Sequence, residues 1–145
     1  MQEKLELITH VHKDAAMGYY TVKTLSEKLK DKDNKIKGFL EDIQKKYKEF
    51  SDKTKDILVE NKISPEEDGF ITKMMSSMGI SKEVKDDNSD SAIADMVIQG
   101  ISMGSIEMEK KIAAYKDQID KEYLSIARDF LKFQQKTIND LKKFL

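Results

Sequence analysis

The chain has 145 residues, 37% of them charged and 39% apolar, with one Pro, six Gly and no Cys; 26 basic and 27 acidic side chains leave a formal charge of −1. That length suits one domain with one core. The missing Cys excludes disulfides, thiolate metal sites and thiol nucleophiles, while interspersed charge, with Arg128 as the sole Arg, offers no basic face for nucleic acid.

The first helix is predicted over about residues 2–30, where Ile8, Val11, Ala15, Gly18, Val22, Leu25 and Leu29 recur at three- and four-residue steps and form one stripe. Its opening, Met1-Gln2-Glu3-Lys4, is charged and carries no apolar signal core. Asp31-Lys32-Asp33-Asn34 makes a short polar connection, of the kind that joins antiparallel neighbours. The second helix follows over about 34–62, with Ile36, Phe39, Leu40, Ile43, Tyr47, Phe50, Ile57 and Leu58 inside and Thr54 in the same stripe.

Ser64-Pro65-Glu66-Glu67 reads as a capping box with Pro in the first turn. It predicts a short helix over 65–78 that carries Phe70, Met74, Met75 and Met78 and is stopped by Gly79. Ser89 or Asp90 caps a third long helix over about 90–117, with Ile93, Val97, Ile101, Gly104, Met108, Ile112 and Tyr115 in its stripe and Gly100 beside Ile101 on the same side. The fourth, about 120–145, turns Tyr123, Ile126, Ala127, Phe130, Phe133, Ile138, Leu141 and either Phe144 or Leu145 inward. It is basic and amphipathic, which suits either the fourth wall of a core or an anionic membrane surface. No stretch approaches the roughly 18 apolar residues of a membrane span. These signals together predict a cytoplasmic protein without a transmembrane segment.

Four long helices of similar length predict an all-α four-helix bundle forming a single domain over 1–145. The first and third connections are short; the middle one, about 63–88, far exceeds the 2–8 residues that a helical hairpin needs. Its length favours a crossover that returns along the bundle and sets helices two and three parallel, the alternative being a short helix across the bundle end.

Two long hairpins joined by one long crossover resemble the ferritin-like four-helix bundles. The segment Ile93-Ala94-Asp95-Met96-Val97-Ile98-Gln99-Gly100 is similar to small bacterial proteins of that group. The resemblance implies a bundle core that, in the di-iron members, carries Glu from two helices and Glu-x-x-His from the other two. This chain departs from that pattern: its only histidines are His10 and His12, and no Glu-x-x-His occurs.

His10 and His12 stand two apart and point to different sides of a helix. Antiparallel register about the first turn sets His12 level with Asp52, with Glu49 as the alternative, and a parallel third helix adds Glu107, with Arg128 or Asp129 nearby. One imidazole and two carboxylates would suit a divalent transition metal; the alternative is a His at the edge of the core with both carboxylates in solvent. Gly100 and Gly104, four apart, with Gly18 facing them from the first helix, predict close helix packing, with a ligand groove or dimer seam as the functional alternative. The eight Met residues fill irregular gaps or make an adaptable binding surface.

No phosphate loop, paired nucleophile and base, or metal-ligand run is present, so nothing marks an enzyme. The expectation is a non-catalytic bundle without a cofactor, acting through helix–helix association as a homodimer. A degenerate ferritin-like metal or small-molecule binder and a membrane-surface or envelope-associated bundle are the alternatives.

Overall fold

The computed structural model describes residues 2–65 and 88–145, with side chains from Leu5 onward. The described residues form four α-helices and no strand: α1 (Gln2–Lys28), α2 (Lys37–Glu60), α3 (Asp90–Tyr115) and α4 (Lys121–Leu141), with a closing 3-10 turn at Lys142–Phe144. The short helix expected over 65–78, with Phe70, Met74, Met75 and Met78, lies outside the described residues except for Pro65.

Each boundary has a local cause. Ser89 caps α3, its hydroxyl accepting from the Ala92 N–H at 3.2 Å. The end of α1 is held by Lys37, whose ammonium donates to the carbonyls of Lys30 at 2.9 Å and Lys32 at 3.0 Å, a cation placed on the negative end of the helix dipole. The end of α2 is a Schellman turn. Ile63 N–H reaches Leu58 O at 2.8 Å and Lys62 N–H reaches Val59 O at 3.0 Å, with Lys62 in the left-handed region at φ 61°.

Helix direction follows from one carboxylate. Asp90, the first residue of α3, accepts from the Asn34 amide at 3.0 Å and from the backbone N–H groups of Lys35 at 3.1 Å and Ile36 at 3.4 Å. The Asn34 amide also donates to Asn88 O at 2.7 Å. These bonds satisfy N–H groups at the start of α2 that the helix itself leaves unpaired. They also tie the N-terminal ends of α2 and α3 together. The two helices therefore run parallel, each antiparallel to its own hairpin partner. The start of α3 therefore lies a full helix length from the end of α2 at Glu60, about 36 Å at 1.5 Å per residue.

The core runs the length of the bundle. Leu7, Ile8, Val11, Ala15 and Leu25 from α1 and Leu29 just past its end meet Leu40 and Leu58 from α2, Ile93, Ala94 and Met108 from α3, and Ala127, Phe130 and Leu141 from α4, all fully buried. Helix α1 packs most closely against α2 and also touches α3 and α4, whereas the α2 and α4 backbones stay farther apart. Aromatic rings fill that wider gap: Phe130 lies 5.1 Å from Phe50 and 6.2 Å from Tyr47, and Tyr47 lies 4.9 Å from Phe133.

Candidate functional site

Two polar layers interrupt this apolar interior. The first is built on His12, which is 1% exposed. Its Nδ1 stands 3.1 Å from Ser51 O and 3.0 Å from Thr54 Oγ1. A carbonyl oxygen only accepts, so Nδ1 carries the hydrogen and donates. Thr54 Oγ1 in turn donates to Phe50 O at 2.8 Å. His12 is thus fixed as a buried strut between α1 and α2.

The expected layer of His12, Asp52 and Glu107 is not assembled. The level is right, since Ser51 and Thr54 flank Asp52, but Asp52 turns outward and pairs with Lys48 at 3.0 Å. Glu107 is also exposed, on the outer side of α3. Among the described residues, no three His, Cys, Asp or Glu side chains converge as a metal-binding group. A buried interior favours His–hydroxyl–carbonyl contacts over carboxylates, which are costly to bury without a counter-charge.

The second layer draws on all four helices. His10 and Asp14, four residues apart on α1, share a face, and His10 Nε2 stands 3.3 Å from Asp14 Oδ2. Gln134 of α4 is 3% exposed. Around the point where a Cβ on Gly104 would stand, Gln134 Nε2 lies at 3.1 Å and Asp14 Oδ2 at 3.5 Å. The absence of a side chain at Gly104 lets these polar groups into the bundle. Tyr47 of α2 feels the same layer: burial first, then the Asp14 charge, push its phenol well above the ordinary tyrosine value.

That shift has a testable sign. A raised folded pKa means the unfolded chain releases this proton first, so the contribution of Tyr47 holds below about pH 10 and fades as pH climbs beyond it. In an alkaline titration, the last step in phenolate absorbance is expected to coincide with loss of the helical circular dichroism signal and to vanish in Tyr47→Phe. Ionisation of all five tyrosines with the helices intact would contradict the burial of this phenol.

The glycines serve different neighbours from those expected. Gly18 is approached by the Tyr47 ring of α2 rather than by α3, and Gly104 faces Gln134 and Asp14. Among the described residues, nothing lies within 4 Å of the point where a Cβ on Gly100 would stand. Gly100 faces outward and not, like Ile101, toward the core.

The second layer escaped the sequence reading because Gln134 carries no hydrophobic signal. The readable sign was the four-residue spacing of His10 and Asp14. Comparison with family models, curated proteins and solved structures finds no match. No helix among the described residues is long and apolar enough to cross a membrane.

Proposed function

We propose that this chain is a non-catalytic, ferritin-like helical bundle that works by self-association, a second copy docking on the outer face of α3. The parallel run of α2 and α3, tied by Asp90, supports the ferritin-like order of helices. The observation that carries the docking surface is on α3 itself. Met103 and Ile106 are 73% and 54% exposed, two of the four large apolar side chains left in solvent among the described residues. They share their outward face with the open notch at Gly100.

Charge selects a second copy as the occupant. From 90 to 102, α3 carries Asp90 and Asp95 and no basic residue; beyond Met103 it carries Lys110 and Lys111, with Lys116 just past its end, beside Glu107 and Glu109. A two-fold axis at Met103 sets the two α3 helices antiparallel. Met103 then meets its own copy, Ile106 comes level with Gly100, and Asp95 comes level with Lys110 and Lys111. Antiparallel pairing also opposes the two helix dipoles, and a surface that matches itself about a two-fold closes as a dimer.

Light scattering is expected to give twice the 16.7 kDa chain mass, and Met103→Lys is expected to restore the monomer with the helical signal unchanged. The chain has no cysteine, so Met103→Cys supplies a single thiol that a short bismaleimide should cross-link between copies, whereas Lys132→Cys on the exposed side of α4 should not. A monomer at about 100 μM, a concentration well above the Kd of an ordinary specific dimer, would end this reading.

A further inference from the structure

We infer that the layer formed by His10, Asp14 and Gln134 is a binding site for one divalent transition-metal ion. Among the described residues, three polar atoms of this layer are buried without a hydrogen-bond partner: His10 Nε2, Asp14 Oδ2 and Gln134 Oε1. Buried polar atoms left without a hydrogen bond are rare in native interiors, because each gives up its solvation for nothing in return. Three in one layer, each able to offer a lone pair, define a shared deficit that a cation would remove.

The spacing fits coordination better than a hydrogen bond. His10 Nε2 and Asp14 Oδ2 stand 3.3 Å apart, within ion-pair distance, yet their alignment makes no hydrogen bond, and neither atom has a hydrogen-bond partner elsewhere. Two ligand atoms held at roughly 2.1 Å from one ion are themselves about 3.0–3.4 Å apart at tetrahedral or octahedral angles. The pair therefore has the separation of one edge of a coordination polyhedron. Gln134 approaches from α4 with its Nε2 beside the Gly104 position, near Asp14 Oδ2; its side chain is 3% exposed, so solvent does not satisfy its amide oxygen, and half a turn of the amide brings that oxygen to the side of Asp14. Gly104 on α3 leaves the space beside Asp14 and Gln134 open where any side chain would crowd them.

The donor set names the ligand class. One imidazole nitrogen, one carboxylate and one amide oxygen suit zinc, manganese, cobalt or iron(II). A single carboxylate leaves a net positive site, with water completing the shell. The ion belongs here and not at His12, because Asp52 and Glu107 at that level are exposed and no group of three such side chains converges there among the described residues. The site lies inside the bundle and is independent of the α3 docking face.

The test uses the full chain without a histidine tag, stripped with chelator, then titrated with cobalt(II) and with zinc(II) by calorimetry and visible absorbance. One ion per chain is expected, with a rise in Tm on loading. His10→Ala and the near-isosteric Asp14→Asn should each weaken binding at least tenfold, since losing even an outer partner of a metal costs about 10–100-fold. Circular dichroism of each variant checks that the bundle is intact. Absence of uptake by the wild-type chain, which would leave the three atoms to a buried water, overturns the site. So does uptake that survives His10→Ala or Asp14→Asn, or a loss confined to His12→Gln.

Discussion

Phe130→Ala is expected to destabilise the bundle by about 3–5 kcal/mol, the range for truncating a fully buried aromatic side chain. Phe130 is 0% exposed and sits among the rings of Phe50 at 5.1 Å, Phe133 at 6.1 Å and Tyr47 at 6.2 Å. These side chains fill the space between α2 and α4, whose backbones do not approach closely enough to close over a void. The cavity would persist, so the cost includes lost ring contacts as well as lost burial. A domain of this size is stable by about 5–15 kcal/mol, and the substitution should lower Tm by on the order of 10 °C. Phe50→Ala shares the same cavity, so the double variant should lose less than the two single losses together. A denaturant titration that finds Phe130→Ala within about 1 kcal/mol of wild type would show that the aromatic cluster does not hold α2 against α4.

The helices were legible because their apolar residues recur at a period that only a helix places on one face. The buried stripes of Leu25 and Leu29, Leu40 and Ile43, and Ile93, Val97 and Ile101 lie where that period puts them. The cap at Ser89 was legible for the same local reason. The end of α2 falls within two residues of the expected 62, but the form of its stop was not legible, because Lys62 takes the left-handed conformation usually signalled by Gly. In the sequence Asp90 signals only its own helix start; its bonds to residues 34–36 join segments more than fifty positions apart and leave no local trace.

The polar layers were half legible. Counting from the first turn placed His12 level with Asp52, and the level was right. Rotation about α2 decides whether Asp52 or its neighbours face inward, and charge settles it: Ser51 and Thr54 take the His12 ring while Asp52 stays in solvent. Buried hydroxyls escape a hydrophobic pattern because they satisfy themselves on their own helix. Thr137 donates to Phe133 O at 2.7 Å and Ser105 to Ser102 O at 3.0 Å. The Gln134 amide oxygen has no hydrogen-bond partner, and Gln134 belongs to the same inward row as Ala127, Phe130, Thr137 and Leu141.

Gly18→Ala is expected to destabilise the protein by about 2 kcal/mol although alanine is the better helix former. On propensity alone the change would gain about 1 kcal/mol in a helix interior. The added Cβ, however, would collide with the ring of Tyr47, which is 4% exposed and wedged against Phe130 and Phe133. The ring has no free space to move into, and forcing a core side chain from its rotamer costs about 1–3 kcal/mol or more. Helix α1 must otherwise move away from α2, loosening the closest helix pair in the bundle. The background decides the sign. In a Tyr47→Ala chain the obstacle is gone, and Gly18→Ala should there stabilise by up to about 1 kcal/mol through propensity alone. Equilibrium unfolding of the four chains of this cycle measures both effects. A stabilising Gly18→Ala in the wild-type background would mean that the ring yields freely, and that α1 and α2 are not held at this distance by the missing side chain.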